Sequence, residues 1–341
     1  MTDDPAHSGA ATPEDLKLDA RLRPRTFDEF IGRDEMKENL RIYVEAARAR
    51  REPVDHILFS GPPGLGKTTL SHIVAREMGA ELRATSGPVL ERPVDLAGVL
   101  TKLEEGDVLF IDEIHRLSPA VEEYLYSAME DFRIDILIDS GPHARSVKIE
   151  LPRFTLVGAT TREGLLSGPF RGRFGILEKI DLYPADELTR IVLRSARLLE
   201  VEIDRRAAET IAARARGTPR VANRFLARIR DVAQVTGDGR ITLETAESGL
   251  KRLKVDEMGL DATDRAILRS LVESGVPMGL KTIAVVVGEA EDTIEDVYEP
   301  FLIRGGFVAK TPKGRVATPK AYEHLGVRPG GAGPADPTLF T

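Results

Sequence analysis

The fold of this chain is decided by the stretch Gly61-Pro62-Pro63-Gly64-Leu65-Gly66-Lys67-Thr68-Thr69. The residues before it, 57–60, predict a short buried strand, and those after it have the apolar spacing of a helix. Glycines, a lysine and a hydroxyl residue in this order, between a strand and a helix, predict a loop that wraps the phosphates of a nucleoside triphosphate. Such a unit is typical of a parallel α/β sheet with helices on both faces.

Each part of this loop has a separate predicted role. Gly64 and Gly66 let the backbone turn its N–H groups toward phosphate oxygens, and the N-terminus of the following helix attracts the same anion. We expect Lys67 at the β- and γ-phosphates, Thr68 as a hydroxyl ligand of Mg²⁺, and Thr69 beside them. The loop therefore predicts binding of ATP or GTP together with Mg²⁺.

A second apolar run ends in two acidic residues. Residues 108–111 predict a strand buried on both faces, and Asp112 and Glu113 follow it directly. We expect Asp112 to hold the Mg²⁺ shell and Glu113 to polarise the attacking water, as ATP hydrolysis requires. The sequence contains no Asn-Lys-x-Asp stretch, which argues against a guanine-specific GTPase.

The composition is typical of a globular protein with room for two or three domains. Of the 341 residues, 42% are hydrophobic and 30% are charged. The absence of cysteine excludes disulfides and thiolate metal sites. We find no secretion signal and no apolar run of about 20 residues, so we expect a cytoplasmic protein without a membrane partner. The net charge of −7 argues against nucleic-acid binding over the whole surface but allows a local basic patch.

Changes of pattern divide the chain into three folded units between two tails. Alternating strands and helices predict a large α/β ATPase domain at 19–183. Helical patterns predict a small helical domain at 184–254, and helices followed by a hairpin predict a winged-helix DNA-binding head at 255–327. Residues 1–18 and 328–341 lack periodicity, so we expect flexible tails there. The strands predicted for the sheet are 57–60, 82–85, 108–111 and 154–159.

Two further residues are candidates for nucleotide contacts. Thr161 follows a predicted strand, and it either touches the γ-phosphate or its attacking water or simply closes the strand. Arg220 falls in the first turn of a helix predicted to start at Pro219, where a cation opposes the helix dipole unless an anion is near. Arg220 is therefore either a phosphate contact or one of many surface arginines.

A β-hairpin is predicted as an insertion in the ATPase domain, at about 133–151. Apolar and polar residues alternate on both sides of a turn region, which gives the hairpin one apolar face. This face either packs on its own domain or binds a partner protein. The candidate partner-binding residues are Ile136, Ile138 and Ile149.

The hairpin of the C-terminal unit is basic. Between Phe301 and Lys320 the sequence has basic residues and no acidic one. Lys310 and Arg315 flank the predicted turn and are candidates for contacts with the DNA backbone. The preceding helix, 290–303, is acidic, so phosphates would repel it. The alternative is a solvated basic hairpin.

Taken together, these motifs resemble those of the AAA+ ATPases, and residues 23–32 resemble the N-terminal signature of that group. The resemblance is closer to the RuvB family, the motor subunits of bacterial Holliday-junction branch migration, and it covers about 16–327. The strings that carry it are GPPGLGKTTL, TSGPVLE, DVLFIDEIHRLSP, FTLVGATTR, RGRFGI, RARGTPRVANR and TIEDVYEPFLI.

The resemblance implies further site residues. Leu22 and Arg23 would line the adenine end of the site, with Tyr183 packed nearby. Arg173 matches the arginine finger of the family, which acts on the nucleotide of a neighbouring subunit and implies a homohexameric ring around duplex DNA. A further nucleotide-contacting stretch of the family is matched by Glu130-Asp131-Phe132.

The resemblance also implies partners and a process. The hairpin corresponds to the surface that binds RuvA, the basic wing corresponds to the DNA contact, and the RuvC resolvase is a further possible partner. The implied function is an ATP-driven motor on four-way junctions in recombination, DNA repair and the SOS response. A clamp-loader-like switch remains the main alternative, because it would use the same ATPase core without translocating.

Overall fold

The structure, a computed structural model, describes residues 13–137 and 146–328. The described chain divides into a large unit, Asp19–Tyr183, and a second unit that joins residues 13–18 to 184–328. Over the described ranges, no helix combines the length and the apolar character that a membrane span requires.

A parallel sheet forms the centre of the large unit. The strands of this unit are β1 (Ile57–Ser60), β2 (Leu82–Ser86), β3 (Val108–Asp112), β4 (Arg133–Leu137), β5 (Ser146–Glu150), β6 (Thr155–Thr160) and β7 (Ile176–Lys179). The sheet order is β2-β3-β6-β1-β7 with every neighbouring pair parallel, while β4 and β5 form a separate antiparallel hairpin. Because the strands are parallel, their carboxyl ends meet at one edge, where α/β proteins bind ligands.

Helices precede these strands or lie between them in the chain. They are α1 (Pro13–Leu22), α2 (Asp34–Arg50), α3 (Lys67–Met78), α4 (Pro93–Leu100), α5 (Pro119–Asp131) and α6 (Gly168–Arg171). Strands β1 and β6 are buried along their whole length. Continuous burial of this kind is expected of parallel strands that are covered on both faces.

The second unit begins as a helical bundle and continues as a winged helix. The bundle consists of α7 (Ala185–Leu198), α8 (Arg205–Arg214), α9 (Pro219–Thr236) and α10 (Leu243–Arg252). The winged helix consists of α11 (Ala262–Ser274), α12 (Leu280–Val287), α13 (Glu291–Thr293), a π-helical turn (Ile294–Tyr298), α14 (Glu299–Arg304), β8 (Val308–Thr311), β9 (Gly314–Ala317) and α15 (Pro319–Leu325). The wide π turn precedes Pro300, whose ring and missing N–H disturb a regular helix at this point.

The predicted strands of the sheet are confirmed to within one residue at either end, but β7 was missed. Its sequence, Ile-Leu-Glu-Lys, is short and half charged, so it carries little strand signal.

The prediction of a flexible tail over 1–18 is wrong for residues 13–18, which begin helix α1. Pro13 suits the first turn of a helix, and Glu14 forms an ion pair with Arg228 at 3.2 Å. The remaining parts of the predicted tails, 1–12 and 329–341, lie outside the described residues.

Candidate active site at the carboxyl edge of the sheet

The loop between β1 and α3 is held in one shape by its surroundings. Gly61 leaves β1 with a φ of 135°, and its N–H donates to the carbonyl oxygen of Thr160 at 3.1 Å. A Cβ on Gly61 would lie 2.1 Å from the carbonyl oxygen of Ile180, so only glycine fits. Gly66 precedes α3 with a φ of 104°, and a Cβ there would meet the ring of Phe30 at 3.0 Å. Gly64 also has a positive φ, 77°.

Lys67 places a buried ammonium group inside this loop. Its Nζ donates to the carbonyl oxygens of Gly61 at 2.6 Å and Pro62 at 2.8 Å. Helix α3 starts at Lys67, and its N-cap residue, Gly66, has no side chain that could cap the helix. The first N–H groups of α3 and the ammonium group are therefore directed to the same region, which suits a phosphate. Thr68 and Thr69 follow in the first turn and are half-buried.

The two acidic residues after β3 have different surroundings. Asp112 ends the strand, and its Oδ1 accepts the N–H of Glu113 at 2.9 Å. Glu113 has a left-handed backbone with a φ of 48°, which is uncommon for a residue other than glycine and is often found at functional sites. Its carboxylate accepts a hydrogen bond from Nη1 of Arg116 at 2.9 Å. Gly87 allows this turn, because a Cβ there would lie 2.4 Å from the carbonyl oxygen of Glu113.

At the end of β6, the buried hydroxyl belongs to Thr160. Its Oγ1 accepts the N–H of Arg162 at 2.9 Å and lies 3.0 Å from Nδ1 of His115. Thr161, the residue predicted to sense the γ-phosphate, comes next and is half-buried at the same edge of the sheet. The contact between His115 and Thr160 was not predicted from the sequence.

Two of the residues assigned to the adenine end, Arg23 and Tyr183, also belong to this region. The Tyr183 hydroxyl donates to the carbonyl oxygen of Leu65, in the phosphate loop, at 3.4 Å. Leu22 is buried. Arg23 lies near α3, since its charge, after burial, is a cause of the lowered pKa of His72. The roles of Leu22, Arg23 and Tyr183 toward the base stay predictions.

Arg173 lies at the opposite edge of the sheet from the phosphate loop. Strand β7 begins at Ile176, which is aligned with Ile57 at the start of β1. Residues just before Ile176 therefore lie at the amino edge, whereas the loop follows the carboxyl end of β1. Strands of this length span about 13 Å, so Arg173 does not adjoin the loop of its own chain.

A second group of residues surrounds Arg173 at this amino edge. Its guanidinium pairs with the Glu130 carboxylate at 2.8 Å, donates to the Tyr126 hydroxyl and lies 4.4 Å from the centre of the Tyr126 ring. Glu130 belongs to the predicted nucleotide-contacting stretch, of which Asp131 pairs with Arg133 at 3.0 Å. The contact of Tyr126 with Arg173 was not predicted from the sequence. We refer to Arg173, Tyr126 and Glu130 as the amino-edge cluster.

The ring of Phe132, the last residue of that stretch, faces inward. It packs edge-on against Phe154 with 5.8 Å between ring centres, and its backbone is left-handed with a φ of 50°. The contact of Phe132 with a nucleotide stays a prediction.

Arg220 is the second residue of α9, in the second unit. The helix starts at Pro219, as predicted, and Thr218 is its N-cap residue, although the Thr218 side chain makes no capping hydrogen bond with the described residues. Helix α8 ends at Arg214. The sequence did not indicate that Arg216, between the two helices, is buried.

The basic wing is partly neutralised by the acidic helix before it. Arg315 donates from Nη2 and Nε to the two carboxylate oxygens of Glu299, at 2.8 and 3.2 Å, and its side chain is only 13% exposed. Lys310 is exposed, with its Nζ 3.6 Å from Glu299 and 3.8 Å from Glu295. Lys313 is exposed at the turn between β8 and β9. DNA contacts by Lys310 and Arg315 stay predictions, and this geometry favours Lys310.

The inserted hairpin is packed on its own unit at its base. Ile134 is buried in the core, and Ile149, opposite it, is partly buried against the same core. Val147 is 43% exposed and lies opposite Ile136. The backbone of Ile136 lies in β4, and Ile138 lies outside the described residues. Partner binding by these isoleucines stays a prediction.

The strand order β2-β3-β6-β1-β7, the phosphate loop after β1 and the acidic pair after β3 define an AAA+ P-loop ATPase. Three sequence models match the chain in succession: the Holliday junction DNA helicase RuvB P-loop domain at 22–180, the RuvB AAA lid domain at 183–256 and the RuvB C-terminal winged helix domain at 257–326. The chain belongs to the RuvB family.

Individual relatives are similar over almost their whole length. The Holliday junction branch migration complex subunit RuvB of Salinibacter ruber is 60% identical over 317 residues, 92% of each chain. Its counterpart in Myxococcus xanthus is 58% identical over 319 residues, 93% of each chain. The solved Thermotoga maritima RuvB Holliday junction branch migration motor is 49% identical, with a TM-score of 0.84, covering 90% of this chain and 99% of that one.

Proposed function

We propose that this chain is an ATP-hydrolysing motor that drives branch migration of Holliday junctions, in the cytoplasm, together with a RuvA partner. The observation that carries the proposal is the separation of the hydrolytic residues from Arg173. Lys67, Asp112 and Glu113 belong to the carboxyl edge of the sheet, and Arg173 belongs to the amino edge. A complete reaction site then requires two copies of the chain, as in a ring.

The residues at the carboxyl edge fit MgATP. Lys67 and the N-terminus of α3 supply positive charge and N–H donors to phosphates. Thr68 and Asp112 offer the oxygen ligands that Mg²⁺ prefers. No cluster of three or more histidine or acidic side chains suited to a metal ion occurs in the described part of the chain. A bound Mg²⁺ would therefore depend on the nucleotide and water for its other ligands, and it would neutralise charge on the phosphates.

Glu113 is the residue we propose as the base that polarises the attacking water. Its carboxylate pairs with Arg116 in this structure, so it must exchange that partner for water during the reaction. Thr161 would hold the water or the γ-phosphate from the tip of β6. Arg220 would contact the γ-phosphate from α9 and so make the bundle sensitive to hydrolysis.

The amino-edge cluster would complete the site of a neighbouring subunit. A planar, permanently charged guanidinium is suited to the charge that develops on a transferring phosphoryl group. We propose that Arg173 supplies this guanidinium, that Glu130, its ion-pair partner, lies at the same nucleotide, and that the assembly is a homohexamer.

The partners are assigned to two surfaces. The distal part of the inserted hairpin, where Val147 is exposed, would bind RuvA, because an exposed apolar strand residue suits a protein partner. The wing, with Lys310, would contact the backbone of duplex DNA without reading its sequence. We include the RuvC resolvase as a further possible partner of the assembly.

Substitutions in the wing separate DNA binding from folding. We expect Lys310→Ala to weaken duplex binding about threefold, equally for different sequences, and to lower the salt slope of the affinity by about 1. Fluorescence anisotropy over a range of salt concentrations measures both quantities. The matched control, Lys251→Ala, removes an exposed lysine of α10 and is expected to leave them unchanged.

Arg315→Ala is expected to act mainly on stability. It leaves the nearly buried Glu299 without its two-point partner, which costs about 1.5–3 kcal/mol in the free energy of unfolding.

An unchanged salt slope in Lys310→Ala would contradict the assignment of the wing to DNA.

The proposed function is tested by the ATP-dependent dissociation of a mobile synthetic four-way junction, with the chain alone and with RuvA added. Dissociation into two duplexes that depends on both ATP and RuvA is the expected result. ATP hydrolysis and DNA binding without dissociation would instead favour the clamp-loader-like switch.

A further inference from the structure

A buried cation joins the helical bundle to the winged helix within the second unit. Arg216 lies in the connection from α8 to α9, and Asp261 and Asp264 lie at the start of α11. The Nη2 of Arg216 pairs with both carboxylates, at 3.1 Å for Asp261, and its Nε donates to the carbonyl oxygen of Gly259 at 3.0 Å. All three charged side chains are at least 90% buried. We refer to Arg216, Asp261 and Asp264 as the junction triad.

The backbone on both sides is shaped for this contact. Arg216 has a left-handed backbone with a φ of 57°. Gly259, with a φ of 78°, approaches the bundle so closely that a Cβ would lie 2.8 Å from the carbonyl oxygen of Arg214. The two parts of the second unit therefore meet backbone to backbone, and glycine is required at that point.

The same carboxylates also fix the start of α11. Asp261 accepts the N–H of Asp264 at 2.8 Å, and Asp264 accepts the N–H of Asp261 at 2.8 Å, which is a reciprocal capping arrangement. The Arg216 guanidinium lies 5.0 Å from the centre of the Phe301 ring and 5.8 Å from that of Tyr298. Arg216 thus contacts both the first helix of the winged helix and the helical segment that precedes the wing.

The position of Arg216 in the chain connects this contact to the nucleotide. Only Gly217, Thr218 and Pro219 separate it from Arg220, the residue that we propose as a phosphate contact. A shift of the first turn of α9 would pull directly on Arg216. Buried ion pairs contribute little net stability compared with apolar residues of similar volume, and in some proteins they impose a specific geometry. A specific, rigid link is what the transmission of a movement requires.

We propose that Arg216 is a positioning residue that transmits the nucleotide state from the start of α9 to the DNA-contacting head through Asp261 and Asp264. This inference rests on the proposed contact of Arg220 with the nucleotide, but not on branch migration itself. In this arrangement a movement of the bundle also moves the winged helix, because Arg216 is paired with the start of α11.

The test compares the affinity for duplex DNA in ATPγS with that in ADP. In the unsubstituted chain we expect the two affinities to differ by about tenfold, within the usual range of coupling between sites. Arg216→Lys keeps the charge but cannot contact both carboxylates and the Gly259 carbonyl with one planar group. We expect it to reduce the difference to about twofold or less, with ATPγS binding unchanged. The matched control, Arg228→Lys in α9, makes the same change at an exposed arginine and should keep the full difference.

A second variant distinguishes loss of the ion pair from loss of folding. Burial raises the pKa of Asp264, and the charge of Arg216 opposes the rise. Asp264→Asn removes the ion pair because asparagine is neutral, and it keeps the shape of the side chain. If Arg216→Lys no longer melts cooperatively, Asp264→Asn is expected to show the reduced difference. A full difference in a folded variant, or no difference in the unsubstituted chain, would overturn the inference. Failure of the junction assay with the tenfold difference intact would remove only the proposed branch-migration function.

Discussion

Glu113→Gln is expected to reduce ATP hydrolysis by about 10²–10⁴-fold while leaving nucleotide binding and assembly unchanged. Glutamine keeps the shape of the side chain but lacks the negative charge that would polarise water. The left-handed backbone at Glu113 and its close approach to Gly87 are unaffected by the change, so the surrounding turn should persist. The turnover number and the dissociation constant of ATPγS measure the two effects separately.

The control for this variant is the same substitution at the other edge of the sheet. Glu81 lies just before β2 and pairs with Arg83 at 3.3 Å, away from the carboxyl ends of the strands. Glu81→Gln is expected to retain full hydrolysis. A Glu113→Gln protein that no longer bound nucleotide would show that Glu113 has a structural role in the site rather than the proposed one.

Arg173→Ala is expected to reduce hydrolysis by about 10³–10⁵-fold, as loss of an arginine finger does, with ATP binding retained. The variant also removes an ion pair with Glu130, but both side chains are partly exposed, at 35% and 43%, so the pair contributes little to stability. Arg171→Ala is the matched control, because Arg171 lies two residues earlier and pairs only loosely with Glu163, at 3.6 Å. Steady-state hydrolysis and thermal melting distinguish a catalytic loss from unfolding.

Mixing two inactive variants tests whether Arg173 acts between subunits. Lys67→Ala subunits keep Arg173, and Arg173→Ala subunits keep Lys67, so some interfaces of a mixed ring would contain both groups intact. Hydrolysis in the mixture above that of either variant alone is the expected result. A mixture as inactive as its components would place the action of Arg173 within its own chain.

The nucleotide site was largely predictable because its parts are local in sequence. The phosphate loop requires glycines and a lysine at fixed spacing, and an acidic pair at the end of an apolar strand is equally recognisable in the sequence. What the sequence could not supply was the strand register. The alignment of Ile176 with Ile57, which separates Arg173 from Lys67, depends on β7, whose sequence is too short and charged to be recognised.

Pairs of charges distant in the chain were equally beyond prediction. Arg315 appeared as a basic wing residue, and only the folded head shows that Glu299 holds it. Arg216 and Asp264 are ordinary charged residues in the sequence, and their burial depends on how α11 meets the bundle. The contact of Thr160 with His115, which lies just after β3, likewise depends on how two strand ends meet.

The separation of Lys67 from Arg173 across the sheet has a consequence for how activity depends on concentration. If Arg173 acts on a neighbour, an isolated subunit carries complementary halves of two different sites and a whole one of neither. Dilution that separates the subunits then abolishes ATP hydrolysis, without any inhibitor. Consumption of ATP in the cell would follow the number of closed rings and not the number of chains, so idle subunits would leave the nucleotide pool untouched.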